Sequence, residues 1–169
     1  MKSLKAFFIV SMLSCFLAIP VHAQSDMKIG YVDLGRIFDE YNRTKDYDAV
    51  LEEKHNKYTQ ERDSRLQKIK DAQSKLSLLK ETEKAKLQED MEKQRQELME
   101  YDRQQQTELR KQRDEKIREI LLEIEKVTKD FAEKEKYTFI LNDRVLLYSS
   151  PDLNLTEKIL KILNDSYKK

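Results

Sequence analysis

DYDAVLEEKHNKYTQERDSRLQKIKDAQSKLSLLKETEKAKLQEDMEKQRQELMEYDRQQQTELRKQRDEKIREILLEIEKVTKDFAEKEK, residues 46–136, contains neither glycine nor proline. So long a run without a breaker is not loop. Tyr47, Val50, Leu51, Tyr58, Leu66, Ile69, Leu76 and Leu79 recur along it as a narrow apolar seam. Leu87, Met91, Leu98 and Tyr101 continue such a seam, with Gln94 filling the widest gap. This is a coiled-coil pattern, weakened by polar residues at seam positions. One unbroken helix of that length would run about 135 Å. A fold-back into a helical hairpin is expected instead, with its tip at Lys80–Lys84, where the apolar rhythm lapses and Thr82 can cap a second helix. Each arm would then be roughly 50–75 Å long.

The apolar density along the hairpin is uneven. Ile117, Ile120, Leu121, Leu122, Ile124, Val127 and Phe131 are crowded together. Between Asp102 and Lys116 the only aliphatic side chain is Leu109, set among Gln104, Gln105, Gln106 and Gln112. The hairpin should be well anchored at Ile117–Phe131 and loosely packed further out, free to bend and fray.

Outside the hairpin the pattern changes. Lys28–Asp33 alternates and reads as a strand. Asp33 can cap the helix that follows, on which Leu34, Ile37, Phe38 and Tyr41 share a face; Thr44 or Asp46 can restart the chain into the long helix. Past Lys136, Tyr137–Leu141 and Val145–Tyr148 read as two strands joined through Asn142-Asp143-Arg144, a β-hairpin. Asn154 followed by Glu157 is a capping pattern, and Leu155, Ile159, Ile162 and Leu163 line one face of a last helix. The expected fold is therefore mainly α with a small β part. A long antiparallel arm, residues 46–136, hangs from a body made of 27–45 and 137–169. Strands from both chain ends can meet only if the arm returns to its origin, which supports the fold-back independently. A body this small needs a disulfide, a metal or oligomerisation. A homo-oligomer built on the sheet is expected.

At the N-terminus, Lys2 and Lys5 precede an apolar run, Ala6 to Ile19, closed by Val21-His22-Ala23. That is a secretory signal peptide, residues 1–23, with cleavage after Ala23 and a mature chain of 24–169. The run is short for a membrane span. The one cysteine, Cys15, stands inside it; Ser14-Cys15 weakly echoes a lipoprotein site, although the apolar run continues past it. Loss of Lys2 and Lys5 from 33 basic residues, against 32 acidic ones, leaves the mature chain near neutral. A nucleic-acid-binding protein is expected to be more basic.

Catalytic equipment is missing from the pattern, and no catalytic, cofactor-binding or metal residues are assigned. His55 is the only histidine past the signal and sits on a charged helix, where a surface or seam place suits it better than a general base. Gly30 and Gly35-Arg36 echo a phosphate loop without its Lys-Ser/Thr pair. Carboxylates are plentiful but interleaved with bases as solvated, ion-paired helix faces. Arg62–Lys86 carries an excess of basic over acidic residues. It reads either as an ordinary mixed surface or as a patch for anionic partners such as lipid headgroups.

Three stretches carry a family resemblance: KIGYVDLGRIF (28–38), FILND with VLLYSSPDLNLTE (139–143 and 145–157), and KLQEDMEKQRQ (86–96). Together with the order of elements, they resemble the OmpH family of periplasmic chaperones across essentially the whole mature chain. The resemblance implies a trimer whose intermolecular sheet body carries three helical arms. These enclose a cavity that holds unfolded outer-membrane proteins without ATP. The best-known relatives are basic where this chain is near neutral, which argues against strong charge-driven binding to lipopolysaccharide or anionic membranes; weak contact with either is what remains. The alternative is a periplasmic coiled-coil scaffold or spacer of the envelope. A spacer would favour a continuous apolar seam and a straight rod, unlike the polar stretch at Asp102–Lys116.

Overall fold

The computed structural model describes residues 27–167. The signal peptide, its cleavage after Ala23 and Cys15 lie outside the described residues. Strand β1 (Ile29–Val32) leads into the short helix α1 (Leu34–Glu40) and then α2 (Asn42–Lys75). A 3-10 turn at Leu76–Leu78 reverses the chain into α3 (Glu81–Glu135), which is followed by strand β2 (Phe139–Asn142). Two further 3-10 turns, Asp143–Val145 and Pro151–Leu153, lead to α4 (Thr156–Ser166).

The fold-back exists. Its turn spans Leu76 to Lys80, N-terminal to the expected Lys80–Lys84. Thr82 lies inside α3 and caps nothing; the N-cap is Lys80, without a side-chain bond. The turn lies earlier because Leu76 and Leu79, which suit the apolar seam by their spacing, fold into the turn half-buried. At 34 residues α2 is about 51 Å long, and at 55 residues α3 is about 83 Å. The surplus of α3 is the part that enters the body. It ends at Lys136, a left-handed residue whose N–H returns to Ala132 and Glu133 carbonyls.

The β part differs from expectation. β2 is present, but Val145–Tyr148 is not a strand, and there is no β-hairpin over Tyr137–Tyr148. Asn142 Oδ1 accepts from the Arg144 N–H and turns the chain into a 3-10 segment, so the next residues leave the sheet. β2 instead pairs in parallel with β1, Ile29 opposite Phe139 and Val32 opposite Asn142. On the other edge of β1, the Leu155 N–H donates to the Tyr31 carbonyl at 2.8 Å. A parallel pair needs a crossover of a dozen residues or more, and the whole arm serves as one here.

A single apolar core sits under this sheet. Val32, Ile37 and Tyr41 from the N-terminal part meet Ile120 and Ile124 of α3 and Leu155, Ile159, Leu160 and Leu163 near the C-terminus. Val127 and Phe131 pack against it half-buried, so the crowded stretch of α3 does anchor the arm. Leu160 takes the inward place expected of Ile162, which is exposed. Asp33 caps α1 by accepting from the Arg36 N–H at 2.8 Å, as its position suggests. Asn154 Oδ1 accepts from Thr156 N–H, but Glu157 turns away to pair with Arg36, so the reciprocal capping box does not form. Restart of the long helix comes at Asn42, earlier than Thr44 or Asp46, after a break of one residue at Tyr41.

Gly30 is buried in β1 beneath Leu155. A Cβ there would collide with Leu155 Cδ1 and stand 3.1 Å from the Tyr137 ring. Gly30→Ala is expected to cost about 1–3 kcal/mol by overpacking, read as a lower urea midpoint at unchanged slope.

Candidate functional site

Polar contacts join the two helices of the arm alongside a thin apolar seam. Among its apolar seam residues only Tyr58, Ile69 and Met91 are buried, while Val50 is about half exposed. Tyr58 stands at the centre of a belt that joins the two helices. Its hydroxyl donates to Asp102 Oδ1 at 3.2 Å and accepts from Gln106 Nε2 at 3.4 Å. Arg62 reaches Asp102 at 3.4 Å, and the Arg65 guanidinium lies 4.5 Å above the Tyr101 ring. Lys54 donates to Gln112 nearer the body.

Polar side chains stand at several seam positions here. Between α2 and α3 lies an open groove of about 790 Å³, lined by Leu51, His55, Tyr58, Leu109, Arg110 and Arg113 among others. This is the stretch that the sequence marks as poor in aliphatic residues. His55 belongs to the groove wall, 6.0 Å from the Tyr58 ring.

Charge along the outer arm is partly paired off in exposed ion pairs. Arg62, Arg65 and Lys84 of the basic stretch pair with Asp102, Glu61 and Glu81. At the tip Leu78 is 85% exposed beside Lys75 and Lys80. Among the described residues no group of three or more His, Cys, Asp or Glu is placed to hold a metal. Among the same residues no helix is long and apolar enough to cross a membrane.

The body presents an apolar face. Ile29, Phe139 and Leu141 point outward from the strand pair, opposite Gly30, Val32 and Ile140, which face the core. Beyond β2 the chain exposes Val145, Leu147 and Tyr148, with Leu147 as open as an isolated residue. Leu121 and Leu122 on α3 are exposed as well, and Leu121 lines a groove shared with Leu141. Several exposed apolar side chains on one strand pair and the segment after it are the kind of feature found at interaction surfaces.

Where arm meets body, Arg43 of α2 binds Glu123 at 2.5 Å and Glu119 at 3.3 Å on α3. The Glu123 hydrogen bond raises the Arg43 pKa, and the Lys116 ammonium lowers that of Glu119. Burial, reinforced by the Glu123 carboxylate, pushes the Tyr41 phenol up to about 12. The fold therefore favours neutral Tyr41. Its contribution to stability is complete below pH 10.0, the ordinary value, and is lost as pH rises towards about 12. Tyr41→Phe should flatten the fall of the urea midpoint across that window.

In sequence, residues 28–163 match the family described as outer membrane protein (OmpH-like). No curated protein matches the chain. In structure, the chain is similar to an OmpH-like protein from Caulobacter crescentus CB15, named as an outer membrane chaperone. The TM-score is 0.78 at 11% identity, over 85% of this chain and 87% of that one. At that identity the likeness speaks for the fold; the family match spans most of the chain, strand to final helix. The chain belongs to the OmpH-like family.

Proposed function

We propose that this chain is an exported holding chaperone of the periplasm, which binds unfolded outer-membrane proteins and keeps them from aggregating without ATP. The observation that carries the reading is the arm itself. It is long, joined at mid-length by a polar belt within a thin apolar seam, and opened there by a groove of about 790 Å³. Such an arm offers many weak, adjustable contacts, which suits a client with no fixed shape. A rigid spacer would call for a close-packed seam, which the belt at Tyr58 and Asp102 interrupts. The N-terminal segment would be removed after Ala23 on export.

The working unit in this reading is a homotrimer joined through the bodies. The outward residues Ile29, Phe139 and Leu141 and the unpaired outer edge of β2 are surfaces that a second copy can cover. Val145–Tyr148 has strand composition but makes no strand within its own chain, so it is the segment to lend to a neighbour's sheet. The lysines around Leu78 would add weak contact with anionic lipid or lipopolysaccharide at the arm tips.

The test combines two readouts on the mature protein. Sedimentation should give a trimer. Dilution of a urea-unfolded β-barrel protein into it should give a soluble complex, isolable by size, without nucleotide. A monomer that leaves the barrel protein in the pellet would overturn the reading.

A further inference from the structure

One residue separates α1 from α2. Tyr41 leaves helical geometry at φ −65° and ψ 128°, and the break strips the first N–H groups of α2 of partners within the helix. The Asn42 N–H donates to Asn164 Oδ1 at 2.8 Å, a side chain 122 positions away on α4. One turn further on, the Tyr167 hydroxyl, just past the end of α4, donates to Asp46 Oδ2 at 3.2 Å. The Tyr167 ring stands edge-on to the buried Tyr41 ring, centroids 5.7 Å apart. Neither Asn164 nor Tyr167 contributes to the hairpin itself. Both act on its base from the far end of the chain.

We infer that Asn164 and Tyr167 are positioning residues: they seat the base of α2 on the body and so give the arm a second foot. The first foot is α3, whose Ile120 and Ile124 lie in the core. Arg43 ties the two helices together just above, through Glu119 and Glu123. An arm with both helices seated bends only if one slides along the other. An arm with one seated helix bends wherever that helix bends. The lever is long: a swing of about 10° at the base displaces the end of a 34-residue helix by about 9 Å. Alongside the buried Tyr41 and the Arg43 ion pairs, two hydrogen bonds from α4 therefore limit how widely the arm can range. This rests on reading the hairpin as a mobile arm, but not on what the arm holds.

The test measures the arm without a client. Spin labels at Lys158→Cys on the body and Lys68→Cys on α2 report one intrachain distance when the labelled full mature chain is diluted into unlabelled chain. Asn164→Ala with Tyr167→Phe should widen that distance distribution by about twofold and speed amide exchange at residues 42–48 by about thirtyfold, as expected for loss of two ordinary hydrogen bonds. The urea midpoint of the body serves as the folding control. Asn164→Asp keeps the accepting oxygen and should retain the original width. An unchanged width in the double variant overturns the inference. So does a widening in Asn164→Asp as large as that in the double variant, since that would reflect general damage at the α4 end. Because no client enters, failure of the holding function leaves this result readable on its own.

Discussion

Ile124→Asp is expected to abolish cooperative folding of the body. Ile124 is about 1% exposed and lies where α3 meets α1, β1 and α4. Truncation there to Ala would already cost about 2–5 kcal/mol through lost burial and the cavity left behind. An aspartate adds an unpaired carboxylate in the same apolar space, at a cost of several kcal/mol more. Domains are stable by only about 5–15 kcal/mol, and this core is small. The measurement is urea unfolding followed by tyrosine fluorescence and helical ellipticity. The sharp transition should vanish, while some helix persists in the arm. Ile69→Asp is the matched control. Ile69 is also buried, but in a two-helix seam that can part and admit water, so its substitution should fray the arm and leave the body transition in place.

The second large effect is expected from Leu147→Asp combined with Tyr148→Asp. Within one chain both side chains are exposed, so surface logic forecasts no change in protomer stability. If the trimer forms through this segment, the same pair sits among the central apolar anchors of the interface. Sedimentation should then show association weakened by about 100-fold or more, with helical ellipticity intact. Unchanged association would place the interface elsewhere on the chain.

The residues differ in how much of this was legible beforehand. Absence of Gly and Pro from 46 to 136 made the hairpin readable, because helix propensity and seam periodicity are local properties. Crowding at Ile117–Phe131 located the anchor for the same reason. The turn lies a few residues before the expected tip because Leu76 and Leu79 suit a helical seam and a turn equally; which prevails depends on the opposing helix. Val145–Tyr148 has the composition of a strand but forms none in this chain, because the turn at Asn142 carries it away from the sheet. A parallel pair across the whole arm has no local signature. The braces at Asn164 and Tyr167 and the collision at Gly30 were equally invisible, since each joins residues more than 100 positions apart. The polar belt was half legible: the glutamines announced loose packing, but not that Tyr58 would bridge to Asp102.

The most direct test of the account is aggregation of a β-barrel outer-membrane protein on dilution from urea, followed by light scattering without nucleotide. The mature chain, in modest excess as trimer, should suppress the scattering, and the Leu147→Asp/Tyr148→Asp variant should not. Full scattering in the presence of correctly folded, trimeric wild-type chain would contradict the central claim.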